Sequence, residues 1–161
     1  MPLAPYTTPA LVRIALGVNA QDLRDDKIDV STHRTAVREA LFDISPTLPN
    51  DLETAMTAGL DGQARFRDLG EMVCTYTLAH LLSVSAPLFA PQKVQDDRTS
   101  VERVSDPFKD LRKNLADTLA FIVPKLKAAY LEINPGAVVK PGYAQPTMVA
   151  AVPLGTDPVT G

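Results

Sequence analysis

Cysteine, tryptophan and surplus positive charge are what this sequence most lacks. One cysteine, Cys74, in 161 residues excludes an internal disulfide framework and favours a reducing compartment. With 16 Lys and Arg against 19 Asp and Glu, the net charge is −3, so the chain is no polycation built for a nucleic-acid backbone, and no specific nucleic-acid binding is expected. The opening residues Met1 to Tyr6 have neither the basic start nor the unbroken apolar run of a secretory signal. The chain is therefore expected to act in the cytosol.

Long apolar runs are scarce as well. The nearest approach is Met72 to Gln92, where 21 residues carry no Asp, Glu, Lys or Arg, enough in length to span a bilayer. A span would carry Thr75, Thr77, His80, Ser83 and Ser85 into hydrocarbon, and Pro87 and Pro91 would break it. A helix buried within the protein or between subunits fits better, and no membrane is expected as a partner.

Catalytic constellations are missing too. The only histidines are His33 and His80. Cys74 and His80 stand six residues apart on one helical stretch, about 120° apart around its axis, and cannot form a nucleophile–base pair. Cys74 reads as a small buried apolar residue and His80 as a packed or interface side chain. Asp22, Asp25, Asp26 and Asp29 lack the glycine and terminal Glu of a calcium loop, and Arg24 and Lys27 lie among them, so they read as a self-neutralising solvated face. Gly59, Gly62 and Gly70 form no phosphate-binding loop and read as helix stops. Lys109, Arg112 and Lys113 share a helix face, but Asp106, Asp110 and Asp117 are interleaved with them. No catalytic residue, metal or cofactor is expected, and the chain is not read as an enzyme.

What the sequence does contain is helical punctuation. Thr8 can cap a first helix, Pro9 suits its first position, and Gly17 stops it. The Asp22 to Asp29 stretch is a charged, turn-like lead into a second helix from Ser31 or Thr32 to Ile44, closed by Ser45-Pro46. A short helix near Asp51–Ala58 ends at Gly59, and a longer one runs from about Ala64 to Val84, weakened at Gly70. After a long connection over 85–105, the last helix starts at Ser105 or Asp106 with Pro107 in its first turn, and runs to about residue 132 with a bend at Pro124. The expected fold is all-α, a small helical bundle of four or five helices.

Residues 134–161 differ in kind. They hold five of the 14 prolines and four of the eight glycines, with one Lys and one Asp. Such a segment cannot bury enough surface within itself to offset about 1–2 kcal/mol per ordered residue. The bundle is therefore assigned to 1–133 and an extended C-terminal arm to 134–161. Partner contact falls to Val138, Val139, Tyr143, Met148, Val149, Val152 and Leu154. Short strands at Val138-Val139 and Thr147 to Val152 could form only by pairing with another sheet. Fully extended, the arm reaches about 90 Å, enough to cross onto a neighbour.

The stretch Tyr6-Thr-Thr-Pro-Ala-Leu-Val-Arg-Ile-Ala-Leu-Gly-Val, followed by Leu23-Arg-Asp-Asp-Lys-Ile and a helix, resembles the opening of the head-to-tail adaptor (connector) proteins of long-tailed bacteriophages and related phage-like particles. The likeness covers residues 6–44 by motif and the remainder by architecture alone. It implies a virion neck protein, assembled in the host cytoplasm, that forms a homo-oligomeric ring, commonly of twelve copies, below the portal protein. The arms would bind the portal, and the opposite face would receive a further neck or tail-terminator protein. The alternative from the residues themselves is a non-catalytic helical scaffold of another multiprotein assembly.

Overall fold

The structure, a computed structural model, describes residues 3–59, 62–85 and 108–141. These form six helices and no strand: α1 (Pro9–Leu16), α2 (Asp25–Ile28), α3 (Ser31–Ile44), α4 (Leu48–Ala58), α5 (Ala64–Ser85) and α6 (Lys109–Ile133). The all-α expectation holds at this level. None of these helices is long and apolar enough to cross a membrane.

Local chemistry explains most boundaries. The Leu11 N–H donates to Thr8 Oγ1 at 3.4 Å, satisfying one orphan donor at the start of α1. At its other end Gly17 adopts φ +70°, so its N–H reaches the Ile14 carbonyl while that of Val18 reaches Arg13. Gly59 (φ +61°) closes α4 in the same left-handed conformation.

Two departures from the expected bundle have physical causes. The Asp-rich lead contains one helical turn, α2, because Ile28 is fully buried and draws Asp25–Ile28 onto the core. That turn brings the helix number to six among the described residues. Helix α4 starts at Leu48, three residues earlier than its sequence suggests. Pro49 sits in its first turn, where a missing N–H costs nothing, and Leu48 is fully buried. Thr47 precedes it without capping, since its hydroxyl bonds to Tyr130 Oη instead, at 2.6 Å.

Helix α5 is the hub, packing against α6 along its length and also against α1, α3 and α4. Phe66 stacks on Tyr130 with ring centroids 5.6 Å apart, fixing the antiparallel register of the α5–α6 hairpin. Gly70 is not a helix stop. A Cβ there would stand 2.3 Å from Leu52 Cδ1, so its bare backbone is what lets α4 and α5 approach closely. Helix α6 continues through Pro124, which lies on the exposed side of the helix. The starts at Ser105 to Pro107 and the 85–105 connection fall outside the described residues, apart from Ser85 at the end of α5.

Candidate interaction surface

The first eight residues assigned to the arm lie on the bundle. After α6 the chain turns at Asn134, whose carbonyl accepts from the Ala137 N–H at 3.0 Å. It then returns along α6 to Lys140. The Lys140 N–H donates to the Ile44 carbonyl at the end of α3 (2.9 Å), and the Lys140 carbonyl accepts from Lys127 Nζ (2.9 Å). Burial displaces the Lys127 ammonium pKa downward, the cost of seating it there. Lys140 Nζ reaches back 4.0 Å from Asp43 and 5.0 Å from the Phe42 ring centroid. Ala137 and Val139 pack against the core, whereas Val138 is 73% exposed.

Of the expected partner contacts, then, Val139 is partly buried against the core and Val138 is exposed. No strand forms at this pair, because Lys140 takes its backbone partners from α3 and a lysine side chain. The chain thus keeps contact with the bundle through Ala137, Val139 and Lys140, beyond the end of α6. Tyr143, Met148, Val149, Val152 and Leu154 lie outside the described residues, as does Thr147 to Val152.

The N-terminal segment is held more firmly than its sequence suggests. Leu3 and Tyr6 are buried, and the Leu3 N–H donates to Asp29 Oδ1 at 2.9 Å. Tyr6 Oη donates to Glu53 Oε2 (2.9 Å) and accepts from Arg38 NH1 (2.8 Å). The Glu53 carboxylate takes both Arg34 and Arg38, each at 2.6 Å. Burial pushes the Tyr6 hydroxyl up to about 12, helped by its hydrogen bond to Glu53 and opposed by Arg38. Thr7 bonds Thr75 on α5 at 2.6 Å. This cluster ties the segment to α3, α4 and α5. No sequence spacing announces it, since Glu53 and Tyr6 are remote from Arg34 and Arg38 along the chain.

The remaining candidates resolve into structural roles. Cys74 is fully buried on α5, and burial followed by the nearby Glu71 charge pushes its thiol upward, away from thiolate chemistry. The Ser83 hydroxyl donates to the His80 carbonyl at 2.7 Å. In the Asp-rich turn, Asp25 pairs with Arg13 and Asp26 with Arg24 (3.1 Å), so the charges cancel locally. Asp22 Oδ2 accepts from the Asn19 N–H and Asp29 holds Leu3. Among the described residues no group of three or more His, Cys, Asp or Glu side chains could hold a metal ion. Lys109 and Lys113 are exposed on α6, with Asp110 and Asp117 beside them.

One surface stands apart from these. From Leu119 to Leu131 helix α6 carries only two charges, Lys125 and Lys127, in 13 residues. Its inner side buries Ile122, Leu126 and Tyr130, yet Phe121 (63%) and Leu131 (39%) face outward with Pro124 and Ala128. Lys125 Nζ caps the Phe121 ring at 3.6 Å. A helix apolar on both sides is characteristic of one covered on both sides.

Compared with known proteins, the chain matches no family model, no curated protein and no solved structure.

Proposed function

We propose that the protein is a non-catalytic structural component, a head-to-tail adaptor that forms a ring and joins a portal to a tail. The observation that most supports this reading is the fixed anchorage of the chain at Lys140, just before the remainder of the C-terminal arm. Lys140 is bound on both its N–H and its C=O, so the chain is held to the bundle as far as this point. An arm anchored in this way reaches a neighbour without the bundle having to rearrange. Repeated around a ring, many weak arm contacts add to a durable joint. The capped α1, the Leu16-Gly17 stop and the Asp-rich turn, which carry the resemblance, form the ordered N-terminal part of the bundle.

The test mixes the purified chain with the portal ring encoded in the same genome. Co-migration of the two by sedimentation, lost when the chain is cut after Pro141, is expected. A portal that never binds the chain, or neighbouring genes that encode no portal, capsid or tail tube, would remove the reading in favour of a scaffold for another assembly.

A further inference from the structure

The hold on the chain at Lys140 is specific but light. From Asn134 to Pro141 no residue is fully buried: Asn134, Ala137 and Val139 are half-buried, and Pro135, Gly136, Val138, Lys140 and Pro141 are exposed. The last turns of α6, by contrast, bury Leu126, Ala129 and Tyr130. A segment with so few buried apolar contacts opens at a lower free energy than the core beside it.

The polar contacts converge on one residue. The Lys140 N–H and C=O make the bonds to the Ile44 carbonyl and to Lys127 Nζ, each 2.9 Å long. The Lys140 ammonium lies 4.0 Å from Asp43, but both side chains are largely open to water, 45% and 71%, so this ion pair adds little. Lys127 serves a neutral carbonyl, which offsets the loss of water around its ammonium less than a carboxylate would.

Both helices that the segment touches are closed without its help. The Asn134 N–H ends α6 on the Tyr130 carbonyl at 2.8 Å, and the Ser45 N–H ends α3 on the Leu41 carbonyl at 3.1 Å. The Ile44 carbonyl is one of the orphan acceptors at a helix C-terminus, which water satisfies when no N–H does. A Cβ added at Gly136 would meet nothing within 4 Å, so no neighbour pins the turn that follows α6.

We propose that residues 134–141 form a releasable strap, latched at Lys140 by Lys127 and Ile44, which lifts from the bundle while α3 and α6 stay folded. Lifting bares the Lys127 ammonium, the Ile44 carbonyl and the footing of Val139, and moves the root of the C-terminal arm without unfolding the domain. The inference rests on the adaptor reading for the purpose of that movement, but the latch itself is read without any portal.

The experiment is native-state hydrogen exchange of the full chain, followed amide by amide by NMR. The Lys140 amide should be protected about ten- to a hundredfold, by the same factor with and without low urea, as a local opening requires. The Leu126 and Tyr130 amides inside α6 should be protected about a thousandfold or more and lose protection steeply as urea rises. Lys127→Met keeps the apolar stem and removes the donor. It should lower the Lys140 protection roughly fivefold, the worth of one hydrogen bond, with that of Leu126 unchanged. Lys125→Met should change neither. A Lys140 amide that exchanges like free chain, one that shares the protection and urea dependence of Leu126, or one that ignores Lys127→Met would each overturn the proposal. Local opening in a chain that never binds a portal would support the strap and remove the adaptor reading.

Discussion

The Lys140 N–H donates to the Ile44 carbonyl at 2.9 Å, across nearly a hundred residues of sequence, and so joins the segment after the last helix to the end of α3. That bond, with the Lys127 contact to the Lys140 carbonyl, holds the segment after α6 on the bundle. Truncation after Pro141 should therefore leave the denaturation midpoint within error of wild type. Truncation after Asn134 should cost about 1–3 kcal/mol, because Val139 loses its burial and Ile44 a hydrogen bond. Paired urea titrations of the two truncations check this, and equal midpoints would contradict it.

Tyr6 makes stability depend on pH at the alkaline end. Its hydroxyl pKa in the folded protein is raised from 10.0 to about 12, so folding favours the protonated form. The stabilisation is fully present below the unfolded value of 10.0 and is lost as pH rises toward about 12. Tyr130, also raised by burial and by its hydrogen bond to Asp51, acts in the same direction. Tyr6→Phe should cost about 1 kcal/mol at neutral pH and flatten this alkaline loss. Unfolding curves between neutral pH and the folded value give both readings.

Glu53 is the single carboxylate between two guanidinium groups. Glu53→Gln should destabilise by about 1–2 kcal/mol, a modest figure because all three side chains are about one-third exposed. The cost should shrink in high salt, and a denaturation series with and without added salt measures it.

Gly70→Ala should destabilise the fold although alanine is the better helix former by about 1 kcal/mol. The added Cβ meets the side chain of the fully buried Leu52, which must shift within the core to make room. Leu52→Ala in the same chain should make the two changes less than additive, as a thermal double-mutant cycle would show.

The helices were largely legible because their ends carry local chemistry. Thr8-Pro9 and Gly17 marked α1 to the residue, and Gly59 marked the end of α4. The beginning of α4 was obscured because Ser45-Pro46 reads only as the end of the preceding helix, while the burial of Leu48 that holds α4 is a long-range effect. Gly70 looked like a weakness for the same reason: the partner that requires it, Leu52, is in another helix. The Tyr6, Arg34, Arg38 and Glu53 cluster, and the docking of Val139, left no periodic trace either. Residues that meet only through the tertiary fold have no fixed spacing by which a sequence can announce them. The exposed α6 face was hidden differently, since Phe121 lies beside the inner stripe of Ile122 and Leu126 and periodicity alone does not separate two apolar sides of one helix.

If the protein joins head to tail through its arm, as proposed, electron micrographs of particles made with the chain truncated after Pro141 will show it. Filled capsids and free tails that fail to join, made with a truncated protein that is folded, are the expected result. Normal tailed particles made with that truncation would contradict it.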